Sequence, residues 1–176
     1  NGLISGFKAS DLVFLDESGC NTDMTRRYAY SLGGSRAIDS APLSKPKNTT
    51  ILSSIQLDGT LRYTTFSGGT TVEKFKRYLE TDLLPHLNGN SVLIMDNMKS
   101  HYAKAVKNLL DSSGVRYIYL PPYSPDLNPI EKLWSKVKAL LRKFKARTLD
   151  ALPNAIQNAF HSVTVSDCSG WFRFCG

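Results

Sequence analysis

Three acids and a proline-rich run carry the chemistry this sequence could perform. Asp16 closes an apolar hexapeptide (residues 11–16, DLVFLD), and Asp96 closes another (residues 91–96, SVLIMD). Glu131 follows the run Pro121-Pro122-Tyr123-Ser124-Pro125-Asp126-Leu127-Asn128-Pro129-Ile130. Carboxylates are hard oxygen ligands, and without a His or Cys cluster they suit Mg2+ or Mn2+ rather than zinc. Two such ions about 3.5–4 Å apart can activate an attacking oxygen and stabilise a leaving one in phosphodiester chemistry. Each acid also has a bland reading. An Asp at a strand end is common, and a Glu three residues after Asn128 often closes a capping box.

The elements that must position these acids can be read from pattern. Prolines 121, 122, 125 and 129 each fix φ and push the preceding residue out of the α region, so covalent chemistry stiffens the loop. Asn128 is a good N-cap and Pro129 suits the first helical position, which puts Glu131 on the first turn. Ile130, Leu133, Trp134, Val137, Leu140, Leu141 and Phe144 then fall on one helix face, which makes Trp134 a core residue rather than a base-stacking platform. Glu131, Ser135, Lys138 and Arg142 share a neighbouring stripe. A carboxylate heading a row of cations is what a phosphodiester backbone passing an active site needs. If the strands ending at Asp16 and Asp96 are parallel neighbours, the two acids lie side by side at one sheet edge. Ligand sites in open α/β sheets collect there.

Elsewhere, residues 26–31 (RRYAYS) alternate as a short strand, Ser18 to Asn21 forms a turn, and residues 33–47 form a long loop. Residues 49–57 and 61–66 flank Asp58-Gly59-Thr60 as a hairpin. Helices are expected from Thr70 or Thr71 to about Leu87, over residues 102–111, and from Thr148 to about Val163, with a further strand over 116–120. The order predicts an α/β fold, a mixed sheet with helices on its faces. The aromatic end, Trp171-Phe172-Arg173-Phe174, either packs back or serves a partner.

The chain has 176 residues, 41% hydrophobic and 21% charged, enough for one globular domain and too few for two. No apolar run approaches the length of a membrane span. Three scattered cysteines, Cys20, Cys168 and Cys175, fit a reducing cytosol better than a disulfide framework. Net charge is +7, and residues 128–147 hold seven Lys and Arg against Glu131 alone. Such a basic helix points to an anionic partner, nucleic acid foremost.

Taken together, Leu15-Asp16-Glu17, Met95-Asp96-Asn97 with His101 close behind, and Pro121 through Trp134 resemble the catalytic domain of mariner-type transposases, most of all their bacterial insertion-sequence branch. The 34 residues between Asp96 and Glu131 match that family's separation of its second and third acids. The resemblance covers roughly residues 11–163 and leaves residues 164–176 as a tail. It implies an RNase H-like sheet of about five strands flanked by helices, with Asp16, Asp96 and Glu131 as a catalytic triad binding two divalent ions, Mg2+ or Mn2+. It implies metal-assisted hydrolysis at transposon ends and strand transfer into double-stranded target DNA, typically at TA, by a homodimer in the DNA complex. A cytoplasmic, nucleoid-associated bacterial protein follows from the same comparison. The helix-turn-helix modules that precede this domain in the family have no counterpart in the chain.

Around the triad, Glu17, Asn97 and His101 are expected to orient a ligand or phosphate, although a satisfied structural His reads equally well. Asp126 reads as a turn or cap residue. Lys138 and Arg142, with Lys45 and Lys47 from the long loop, are the expected DNA-backbone contacts. Two other readings stay open: an RNase H-like nuclease acting on RNA–DNA hybrids or junctions, and a non-catalytic DNA-binding or assembly module derived from a transposase.

Overall fold

The strand Leu12–Cys20 (β1) is apolar on both sides because both of its faces are covered. Leu12 and Phe14 join one cluster with Ile51, Ile55, Val92 and Ile94; Val13 and Leu15 join another with Leu52, Leu93 and Met95. Side chains alternate faces along a strand, so the even and odd positions of β1 anchor two separate cores. The computed structural model describes residues 4–24, 31, 33, 35, 36, 38, 47–121 and 124–175. The strand expected over residues 26–31 lies outside these apart from Ser31, as do Lys45 and most of the long loop.

Five strands form one sheet: β1, β2 (Thr49–Gln56), β3 (Leu61–Ser67), β4 (Val92–Met95) and β5 (Arg116–Tyr119), in spatial order β3-β2-β1-β4-β5. The β1–β2 and β2–β3 pairs are antiparallel; β1–β4 and β4–β5 are parallel. The hairpin turns at Gly59, whose φ of +89° favours glycine, with Asp58 Oδ1 accepting the Thr60 N–H at 2.8 Å. The turn expected at residues 18–21 is not made. β1 runs on through Cys20 because Glu17, Ser18, Gly19 and Cys20 pair with Leu52, Ile51, Thr50 and Thr49. Asp16 therefore lies inside β1, at the step where the shorter β4 ends.

Helix α1 (Val72–Tyr78) is capped by the Thr71 hydroxyl, which accepts the Lys74 N–H at 3.3 Å. Its expected continuation winds instead into a π turn (Leu79–Leu83) and a 3-10 turn (Leu84–His86) containing Pro85. Helix α2 (Lys104–Ser113) stops at Gly114, φ +72°. Both pack on the odd face of the sheet, burying Phe75, Tyr78, Val106 and Leu110.

The even face is covered by α3 (Ile130–Phe144), α4 (Ala151–His161) and α5 (Val165–Cys175). Five α3 residues are buried: Ile130, Leu133, Trp134, Val137 and Leu141. At about 1.5–3 kcal/mol per large apolar side chain, they stabilise docking by roughly 10 kcal/mol before entropy is charged. Phe144, expected on this stripe, is 41% exposed, because the chain leaves the helix at Lys145 in the left-handed region. The aromatic C-terminal stretch is helical and packs back. Phe172 meets Phe14 edge-on at 5.4 Å, and Cys168 is fully buried.

Candidate active site at the β1–β4 step

The register pairs Leu15 of β1 with Met95 of β4, so Asp16 and Asp96 are the next residues on two parallel neighbours. Strand parity then sets their direction. Asp16 follows Leu12 and Phe14, and Asp96 follows Val92 and Ile94, so both continue the face covered by α3. Glu131 stands on the first turn of α3. All three line one cleft of about 380 Å3, together with Asn97, Met98, Leu120, Pro121, Ser124, Pro125 and Asn128. No lysine or arginine is among these described lining residues.

The capping-box reading of Glu131 fails on a hydrogen bond. Asn128 begins the helix, its Oδ1 accepting the Ile130 N–H at 3.4 Å and its carbonyl the Glu131 N–H at 3.1 Å. Its own N–H, which a capping-box Glu would need, donates instead to the Pro125 carbonyl at 3.1 Å. Leu127 and Asn128 close the 3-10 turn Pro125–Leu127, in which Asp126 is exposed.

Asp16 is 6% exposed. Its Oδ1 accepts the Glu17 N–H at 2.7 Å, and its Oδ2 accepts the Trp134 indole N–H at 3.2 Å. Burial pushes its carboxyl up to about 7; the Glu17 and Trp134 donors oppose that rise, while the charges of Asp96 and Glu131 add to it.

Glu17 has the other parity and points to the α1–α2 side, where His101 is fully buried. His101 Nδ1 lies 2.7 Å from Asp96 Oδ1, and Nε2 lies 3.4 Å from Glu17 Oε2. The ring stacks on Phe75 at 4.1 Å, and the Tyr119 hydroxyl donates to the His101 carbonyl at 2.8 Å. Burial alone would lower its pKa, but the bonds to Asp96 and Glu17 outweigh it and raise it to about 9. His101 is thus a cation held behind Asp96, while Asn97 is exposed on the cleft rim.

Among the described residues, no three His, Cys, Asp or Glu side chains close around a single point. Mg2+ does not require that, since it is usually held by one or two carboxylates and completes its shell with water and substrate phosphate. An open, hard-oxygen donor set of Asp16, Asp96 and Glu131 around one cleft therefore fits such ions.

The basic residues spread along α3. Lys138 is half-buried near Cys20, where its charge offsets part of the rise to about 11 that burial imposes on the thiol. Arg142 is half-buried one turn on, and Lys47 is exposed before β2. Lys136 is engaged elsewhere, donating to Asp167 of α5. Lys132, beside Glu131, sits 4.1 Å from the ring of the exposed Phe174. The Trp134–Asp16 bond leaves no signal in the sequence, because periodicity assigns a residue to a face and not to a partner. The start of α5 did carry a readable signal: Thr164-x-x-Asp167 is a capping box, with Thr164 N–H donating to Asp167 at 2.8 Å and Asp167 N–H to Thr164 at 3.1 Å.

A mixed five-stranded sheet in this order, flanked by helices and carrying acids where its two central parallel strands meet, is the RNase H-like fold. The chain belongs to the DDE superfamily endonuclease family, whose model matches residues 11–153. It is 29% identical over 97 residues to the Tc1 transposase of Caenorhabditis elegans, covering 53% of this chain and 36% of that protein. It is 31% identical over 75 residues to the Tcb2 transposase of Caenorhabditis briggsae, covering 43% and 28%. The chain thus spans about a third of the length of the curated relatives it matches. Among solved structures it resembles a pre-cleavage Mos1 transpososome, with a TM-score of 0.80 at 18% identity over 95% of this chain and 53% of that one. The catalytic domain of Mos1 mariner transposase gives 0.67 at 16% identity over 95% and 78%. At such identities the likeness establishes the fold.

Proposed function

We propose that this chain is the catalytic domain of a mariner-type DNA transposase, with Asp16, Asp96 and Glu131 as its catalytic carboxylates. The observation that carries this reading is Asp16, a buried carboxyl raised to about 7 by burial and by the two other acids of its cleft. Three acids gathered in a cleft with no lysine or arginine among its described lining residues support a place for cations. Neighbours in the fold include Mos1 paired-end complexes with Mn and with Mg. Bound here, one or two such ions would supply charge stabilisation and a nucleophile of lowered proton affinity for in-line displacement at phosphorus.

The chain's own residues do the positioning. Glu17 N–H and the Trp134 indole orient Asp16, His101 holds Asp96 from behind, and the proline-stiffened turn delivers Glu131. Lys138 and Arg142 lie about 10 and 16 Å along α3 from Glu131 by helix rise, a track for a DNA backbone leaving the cleft. Lys47 and Lys45 extend the same proposal to the segment before β2. Cleavage at transposon ends, joining of the 3′-hydroxyl to duplex target DNA at TA, homodimeric end pairing and a bacterial, nucleoid-associated setting complete the reading.

The test is a nicking and strand-transfer assay with pre-cleaved ends and supercoiled DNA in Mg2+, Mn2+ or EDTA, with Asp96→Asn as the comparison. Joined product that requires both metal and Asp96 supports the proposal. Nicking without joining makes the chain a nuclease. Salt-sensitive binding with no product makes it a binding module.

A further inference from the structure

A buried indole N–H usually finds an acceptor, and most find a backbone carbonyl or water. Trp134, 4% exposed, gives its N–H instead to Asp16 Oδ2 across 118 residues of chain. Among the described residues this is the one side-chain hydrogen bond joining α3 to the sheet. Trp134 lies three residues after Glu131, so the two are neighbours on the same side of the helix, one turn apart. Apolar burial is non-directional, so the packing of Ile130, Leu133, Val137 and Leu141 by itself leaves the helix some freedom to shift on the sheet. A single directional bond at Trp134 removes that freedom at the turn that carries Glu131.

We infer that Trp134 is a positioning residue for the metal site. It ties the helix bearing Glu131 to the strand bearing Asp16, and with the Glu17 N–H it presets the Asp16 carboxylate. Oδ1 is held by the backbone at 2.7 Å and Oδ2 by the indole at 3.2 Å, so the rotamer is fixed from two sides. The carboxylate so held lines the cleft with Asp96 and Glu131. Asp16, ordered in advance by these two donors, would hold a divalent ion at a lower cost in side-chain ordering. This inference rests on the metal-site reading above.

The experiment is Mn2+ titration of the whole chain, followed by the spin-resonance signal of the free ion, with thermal unfolding in EDTA as the folding control. Four chains are compared: wild type, Asp96→Asn, Trp134→Phe and Trp171→Phe. Trp134→Phe is expected to unfold cooperatively yet bind Mn2+ roughly 10-fold more weakly, the usual cost of removing a donor behind a ligand. Its joining activity should recover at high Mn2+, a rescue that general loosening of the core would not give. Trp171→Phe should bind as wild type does.

If Trp134→Phe folds poorly, 3-benzothienylalanine at position 134 keeps the ring shape without the N–H and must show the same weakening. Wild-type affinity in either N–H-less chain overturns the inference while leaving the metal site standing. No Mn2+ binding by wild type, or equal binding by Asp96→Asn, overturns the metal site and the inference with it.

Discussion

Two buried titratable groups set the pH response of the site, and both act in one direction. Asp16 rises from 3.8 to about 7 on folding. Below 3.8 both states hold the proton; between 3.8 and 7 only the folded state does, so stability falls as pH rises through this window. The shift corresponds to a loss on the order of 4 kcal/mol above pH 7. Asp16→Asn is therefore expected to melt at a higher temperature than wild type at pH 8 in EDTA, while approaching it at pH 4. His101 rises from 6.5 to about 9, so its contribution is complete below 6.5 and lost as pH climbs through 9. Melting curves of His101→Gln should lack the decline that wild type shows between about pH 6.5 and 9. A variant series with parallel pH profiles would contradict both assignments. Type and spacing made Asp16, Asp96 and Glu131 readable as residues, and the proline run made Glu131 readable as held. The bond from Trp134 and the choice of His101 as the partner of both Asp96 and Glu17 were not, since a contact across the sheet leaves no periodic trace.

At the scale of elements, strands and helices with strong patterning were legible and those held by tertiary contact were not. The β2–β3 hairpin announces itself through Asp58-Gly59, and α3 through its stripe. The π turn at Leu79–Leu83 has no local signal, and β1 overruns its apparent end because β2 offers four more pairing partners. Helix α5 contains Ser169 and Gly170 and has weak intrinsic propensity. Its order comes from the capping box, the Lys136–Asp167 ion pair and the packing of Phe172 on Phe14. Phe172→Ala is expected to cost about 3–5 kcal/mol, read as a lower urea midpoint at unchanged slope. A loss under 1 kcal/mol would mean that α5 is an appendage rather than part of the core. The Gly59 turn lies against the same helix, where an added Cβ would come 3.0 Å from Val165.

Across the whole molecule, the excess of positive charge and its concentration on α3 predict how the domain would meet DNA under the proposed function. Seven cations over residues 128–147 face one acid. Replacing both Lys138 and Arg142 with Ala should weaken binding alike on every sequence and reduce the slope of log K against log salt by about 2. An unchanged slope would move the DNA path off this helix. The family model covers residues 11–153, whereas the matched stretches cover about a third of each curated relative, so specificity for particular DNA ends is left to experiment.

The three carboxylates enter the chain at positions 16, 96 and 131 and meet only through the β1–β4 pairing and the docking of α3. No two of them share a secondary-structure element, so no fragment of the site exists locally. During synthesis, at about 5–20 residues per second, a growing chain carries two of the three acids for a few seconds before the third is made. If the domain cuts DNA as proposed, it is in this way latent until its sheet is sealed, with completion of the fold as its safety catch.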